Sequence, residues 1–558
     1  MDNQRLFVWA ALAVALYLNY ETWQRDYAPP HAPPAAAQPS ATASNPAPTD
    51  SLPGLPSETS TPKPAAATPA PEQPVEAADT TAAVVHVATD VLSIDISTRG
   101  GDLVRADLLK YAQVKNRPDV PVRLFNPDNP RYVAQSGLIA GDKSPQPDHR
   151  ALFKASASEF QLKAGEQQLV VPLTWSEGGI TVTKTYTFHP GSYRIDLSYN
   201  VVNTSGSDWK AASYVQLVRH YEHVERSYFK VETYAYRGPA VSDGTRYRKL
   251  NVEKEEDRAF KQTISNGWLA ALQHHFVAAA VPPAKEAYDY QLSLNARNDF
   301  TLSYRGPLTT VPAGGTQTFK EELFVGPKLT EQLEATAPLL VKVTDYGWLA
   351  PIAQPLFVLL EWVYKGVRNW GVAIIIVTFL IKLAFYKLTA ASGRSAAKMR
   401  NVAPRIKAIQ ERYKDDREQL GRQMMELYKR EKINPLAGCL PMLIQVPFFF
   451  AFYRVLLESV EMRQAPFFAW INDLSSRDPY FILPILMGSA MFAQFKLQPM
   501  PSTDPMQAKV FAFMPVIMSV TMAWFPAGLV LYWLTNTLLS IAQQYRINKL
   551  VAAEQQKT

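Results

Sequence analysis

Lys382 stands well inside an apolar run that reaches Leu388, with Thr378 one helical turn earlier on the same face. At 1.5 Å per residue, Lys382 is roughly 9 Å from the Leu388 end. Snorkelling toward headgroups is one outcome for such a lysine. The other is an inward, wet position, where an ammonium attracts a visiting anion. Further polar residues interrupt other apolar stretches: Gln445, Gln494, Ser519, Thr521, Thr535, Asn536 and Thr537. Hydrogen bonds between helices account for hydroxyls and amides. They account poorly for a lysine with no acidic mate in those stretches. No Asp, Glu or His occurs in 368–388, 436–457, 480–498, 509–525 or 527–545. That argues against a proton relay. Ser489 and Ser519 lack a base, and Cys439 lacks a membrane histidine, so nucleophilic chemistry is also disfavoured. What remains is non-covalent: a positive concavity, open to the cytoplasm, that receives polar or acidic segments.

Those five stretches are long enough to be transmembrane helices. Ahead of them, 345–367 carries Trp348, Trp362 and Tyr364 and is broken by Pro351 and Pro355, which suits an amphipathic helix along the interface. Phe525-Pro526-Ala527-Gly528 predicts a tight turn that makes the last two spans an antiparallel pair. The loop 387–433 holds 13 Lys and Arg, whereas 458–479 holds only Arg463 and Arg477 against four acids. The positive-inside rule puts the first in the cytoplasm and the second outside. Within the first, Met399, Val402, Ile406, Ile409 and Tyr413 form one stripe, and Leu420, Met424 and Leu427 another. Asp415 and Asp416 are placed to cap the second helix. A basic helical hairpin over 389–433 follows, with Arg400, Arg405, Lys407, Arg412 and Arg417 as its contact residues. It reads as a mixture of a linker held near anionic lipid and a docking surface for an incoming chain or the ribosome.

Residues 1–27 contain an apolar segment from Leu6 to Tyr20, followed by Trp23 with no small-x-small cleavage site. This predicts an uncleaved signal anchor; a start near residue 24 in the mature protein would contradict it. Residues 28–83 carry 14 of the 43 prolines and no aromatic residue, as in an extended tether. From 84 to 335 the period becomes two. Ile180, Val182, Lys184, Tyr186 and Phe188 alternate with threonines; after His189-Pro190-Gly191-Ser192, Tyr193, Ile195, Leu197, Tyr199 and Val201 alternate again. Phe300, Leu302 and Tyr304 repeat the pattern, so a β-sandwich is expected. His220 and His223 invite a metal reading, but strand alternation sets them on opposite faces. One cysteine excludes a disulfide scaffold, and no metal or cofactor is expected. The net charge of +7 implies no nucleic-acid specificity. A short tail, 547–558, ends the chain.

The last third resembles the YidC family of membrane-protein insertases, related to the Oxa and Albino proteins. The resemblance rests on Asn434-Pro435-Leu436-Ala437-Gly438-Cys439-Leu440-Pro441, continuing through Gln445-Val446-Pro447, on Arg463-Gln464-Ala465-Pro466, Asp478-Pro479-Tyr480 and Asp504-Pro505-Met506-Gln507, and on Trp524-Phe525-Pro526-Ala527-Gly528-Leu529-Val530-Leu531-Tyr532. The anchor, tether and β domain match its Gram-negative layout. The resemblance implies an α-helical polytopic protein of six transmembrane helices, five of them a core over 368–546, plus an all-β periplasmic super-sandwich. It implies the bacterial inner membrane, with both termini cytoplasmic. It implies a hydrophilic groove whose basic residue is Lys382, where many relatives carry arginine. By motif position Thr378, Gln445, Trp524, Tyr532 and Trp533 fall on that groove. Expected partners are nascent membrane proteins, the Sec translocon, the lipid bilayer and the ribosome. The expected function is insertion without an enzymatic step. Two rivals stand beside it: a small-molecule transporter, and an envelope polysaccharide enzyme acting through the β domain.

Overall fold

The computed structural model describes residues 82–115, 117–142, 144–225, 235–413, 416–431, 440–497 and 505–555. The expected anchor and nearly all of the tether lie outside them, as do Cys439 and Asp415. Residues 84 to 327 form two antiparallel-rich sheets, one of eleven strands and one of nine. Strand Ile180–Phe188 pairs with Arg194–Asn203 in the register Phe188 to Ile195 and Val182 to Val201. Ile180, Val182, Lys184, Tyr186 and Phe188 are buried and the intervening threonines are not, as the alternation requires. Phe300, Leu302 and Tyr304 are buried too. The inner faces of both sheets share one apolar core. Polar bonds cross it: Lys184 Nζ donates to the carbonyls of Gly100 and Ser136, both at 2.8 Å. His220 and His223 pair with different carboxylates, Asp299 at 2.9 Å and Glu253 at 2.6 Å.

Two short helices belong to this domain, α1 (Glu255–Arg258) and α2 (Thr330–Thr336). The helical region follows: α3 (Ala350–Val367), α4 (Trp370–Ala384), α5 (Tyr386–Arg412), α6 (Arg417–Arg430), α7 (Leu440–Glu458), α8 (Ile482–Leu497), α9 (Pro505–Met522) and α10 (Ala527–Gln555). A second core joins α3, α4, α7, α8, α10 and the end of α9 at Met522. On the other face of α3, Trp348, just before the helix, and Trp362 are 84% and 70% exposed, so its two faces differ in burial.

Three features differ from expectation. Among the described residues no single helix is both long and apolar enough to cross a membrane; α4 and the start of α5 meet that test only together, bent by 68°. The straight span expected over 368–388 ends at Ala384, because Phe385 leaves helical geometry at φ −92°, ψ 9°. Its ring packs edge-on to Phe448 of α7, with centroids 5.5 Å apart. Second, among the described residues α9 and α10 both pack on α8 instead of along each other. Third, α10 continues past residue 546, and Ile547 and Val551 pack against Ala390 and Ala397 of α5.

Candidate functional site

Lys382 belongs to the last turn of α4, which starts at an Asn369 cap: the side chain accepts from Val372 N at 3.0 Å. The ammonium turns inward and donates to Ser540 Oγ of α10 at 2.7 Å. Ser540 in turn donates to Asn536 O at 2.7 Å. A hydroxyl has one proton, so it meets the lysine as an acceptor. Lys382 is half-buried. Among the described residues, ion pairs within the helical region join Lys365 to Glu361, Arg405 to Glu431 and Arg422 to Glu418; none involves Lys382.

The other expected groove residues are spread out. Thr378 is buried, and its hydroxyl donates to Ile374 O of its own helix at 2.6 Å. Gln445 is half-buried on α7. Tyr532 is part of the apolar core, stacked on Phe452 at 4.5 Å. Trp533 is half-buried, edge-on to Phe449 at 4.7 Å. Trp524 is 42% exposed in the turn before α10. The first residue of α10, Ala527, lies about 20 Å along the helix axis from Ser540, by the α-helical rise. Lys382 and Trp524 therefore mark opposite ends of the bundle.

The basic hairpin forms as a unit. Met399, Val402 and Ile406 of α5 are buried against Met424, Leu427 and Tyr428 of α6. Asp416 caps α6, accepting from Glu418 N and Gln419 N. Arg405 pairs with Glu431 at 2.7 Å, tying the hairpin's two arms. Lys407 and Arg412 are exposed. Arg400 lies on α5 and Arg417 opens α6.

Sequence reasoning missed the seam that holds these parts together. Gln543 Nε2 donates to Thr389 Oγ1 at 2.8 Å, and Gln544 Nε2 to Gly393 O at 3.3 Å. With the Lys382–Ser540 bond they form a polar line between α10 and the α4–α5 arm. Its signal was present: Asn536, Ser540, Gln544 and Asn548 recur every fourth residue. Also missed was the junction of the β domain with the helices. There His274 Nε2 approaches Leu457 O at 2.8 Å, Arg463 donates to Gln113 O at 3.2 Å, and Lys249 pairs with Asp345. Burial pushes the Lys328 ammonium down to about 8 there, opposed by the Glu458 charge.

Comparison with known proteins bears on the whole chain. Residues 84–359 match the YidC periplasmic domain family, and residues 362–555 match the 60Kd inner membrane protein family. A membrane protein insertase YidC of Thioalkalivibrio sulfidiphilus is 45% identical, over 98% of both chains. One of Pseudomonas paraeruginosa is 42% identical, over 99% of both chains. A crystal structure of an active YidC insertase aligns with 84% of this chain and 95% of its own, at 17% identity and a TM-score of 0.38. Full-length identity of this size, with both family models matched in order, shows that the chain belongs to the YidC family of membrane protein insertases.

Proposed function

We propose that the chain inserts proteins into the bacterial inner membrane and helps them fold, without covalent chemistry, by receiving their polar segments at Lys382. The observation that carries this reading is an inward ammonium whose partner is a neutral hydroxyl, 2.7 Å away. Burying a substrate carboxylate at the bilayer centre costs about 2.5–3.5 kcal/mol. One close charge pair at an effective dielectric of 20 contributes about 4 kcal/mol. A single lysine thus offsets one substrate acid, and no reaction is needed. The substrate segment then slides sideways into lipid.

The groove, in this reading, runs along the bundle from Lys382 at its cytoplasmic end past Thr378, Gln445, Tyr532 and Trp533 to Trp524 at the other end, open to the cytoplasm and to lipid, in a core of five spans plus an N-terminal sixth. The charge asymmetry of the loops supports this orientation: the hairpin and both termini inside, the β domain outside. The exposed Lys407 and Arg412 suit contact with anionic lipid, the ribosome or the Sec translocon. Neither a solute transporter nor a polysaccharide enzyme gains support from these two relatives, both named as insertases.

The test is insertion into liposomes containing the purified full-length protein, read by protease protection. Lys382→Glu lowers insertion of a substrate with an acidic outward tail about tenfold or more, by loss of a favourable charge pair and gain of a repulsive one. Lys382→Arg preserves it. Equal insertion by wild type and Lys382→Glu would reject the mechanism.

A further inference from the structure

Lys382 requires a resting partner, and its nature decides whether the site stays open. An acid there would neutralise the ammonium permanently. An apolar neighbour would leave it free to swing toward the headgroups. The structure has Ser540, 2.7 Å from Nζ, on a different helix and 158 residues away in sequence. Its only proton is committed to Asn536 O, so a lone pair faces the lysine. The bond to Asn536 also fixes the hydroxyl's rotamer, because it runs back along α10 to the residue one turn earlier. Neighbouring bonds of the seam, Gln543 to Thr389 and Gln544 to Gly393, hold α10 in register with the α4–α5 arm.

We propose that Ser540 is a positioning residue that parks the Lys382 ammonium inside the bundle while leaving its charge uncompensated. This deepens the reading of Lys382 as the cation that receives substrate, and rests on it. The bond from the ammonium to Ser540 is already charge-assisted, but a carboxylate adds the Coulomb attraction of a full opposite charge, which a neutral acceptor does not bring. A substrate carboxylate therefore displaces the serine oxygen, whereas a neutral substrate amide does not. Ser540 sets the selectivity of the site, and Lys382 supplies the attraction.

The experiment uses the full-length protein in liposomes and one single-span substrate in two forms, with Asp or Asn at the same position of its outward tail. Ser540→Asp lowers insertion of the Asp form about tenfold or more while the Asn form inserts at the wild-type rate. Ser540→Thr, which keeps an acceptor, preserves both. Ser540→Ala, which frees the ammonium to leave the bundle, lowers insertion of the Asp form in the presence of Lys382 and has no selective effect in a Lys382→Ala background. Undiminished insertion of the Asp form by Ser540→Asp overturns the proposal. So does an equal loss of both forms, which marks mere structural damage, or a selective loss by Ser540→Ala that persists without Lys382. If Lys382→Glu itself has no effect, the functional reading has failed; if it impairs insertion and Ser540→Asp does not, only the role of Ser540 falls.

Discussion

Glu321 is 2% exposed inside the sandwich, its oxygens receiving Ser213 Oγ and Tyr304 OH at 2.6 Å each. Burial pushes its carboxyl from 4.5 up to about 8. Between those values the folded protein holds a proton that the unfolded chain has released, so stability falls as pH rises through that window. The slope is about 1 kcal/mol per pH unit for one such proton. Glu321→Gln is expected to flatten the pH dependence between 5 and 8 and to raise the melting temperature at pH 8, measured by circular dichroism in detergent. An unchanged slope would show that Glu321 does not carry the proton. The inward direction of Glu321 was legible, since it shares a strand face with Phe319 and Leu323. The same alternation did place Lys184 inside. Lys382 was conspicuous for a different reason, its isolation among apolar residues. Its serine was not, because only the packing of α4 on α10 brings the two together.

Elements are positioned by close approaches that composition does not announce. Gly371, in the first turn of α4, lies against Phe467: a Cβ there would be 2.0 Å from the ring. The Asn369 cap donates from Nδ2 to Phe467 O at 2.9 Å, so one loop anchors the start of the helix that carries Lys382. Gly371→Val is expected to destabilise the helical core by about 1–3 kcal/mol through overpacking. Thermal unfolding in detergent checks this, and an unshifted transition would contradict it. The β hairpin at 180–203 was legible because period-two burial and a Pro-Gly turn agree. The break at Phe385 was not, since no Pro or Gly marks it and the ring's contact with Phe448 is tertiary. The run of α10 to Gln555 escaped for the same reason: the hydrophobic stretch ends near 545, while the helix continues on packing against α5.

At the scale of the molecule, the segregation of the sequence into a proline tract, period-two strands and apolar stretches forecast a β domain followed by helices, and the family models divide the chain accordingly, at 84–359 and 362–555. The contacts that tie the two parts were illegible, because each joins residues far apart, such as Arg463 to Gln113 and His274 to Leu457. For the proposed insertion mechanism, the property of the whole that matters most is that water reaches Lys382 from the cytoplasm. The chain's single cysteine, Cys439, permits a direct measurement. In a Cys439→Ser background, Lys382→Cys is reconstituted and exposed to a membrane-impermeant thiol reagent from either side. Rapid labelling from the cytoplasmic side alone is expected. Labelling only by a lipid-soluble maleimide would contradict it.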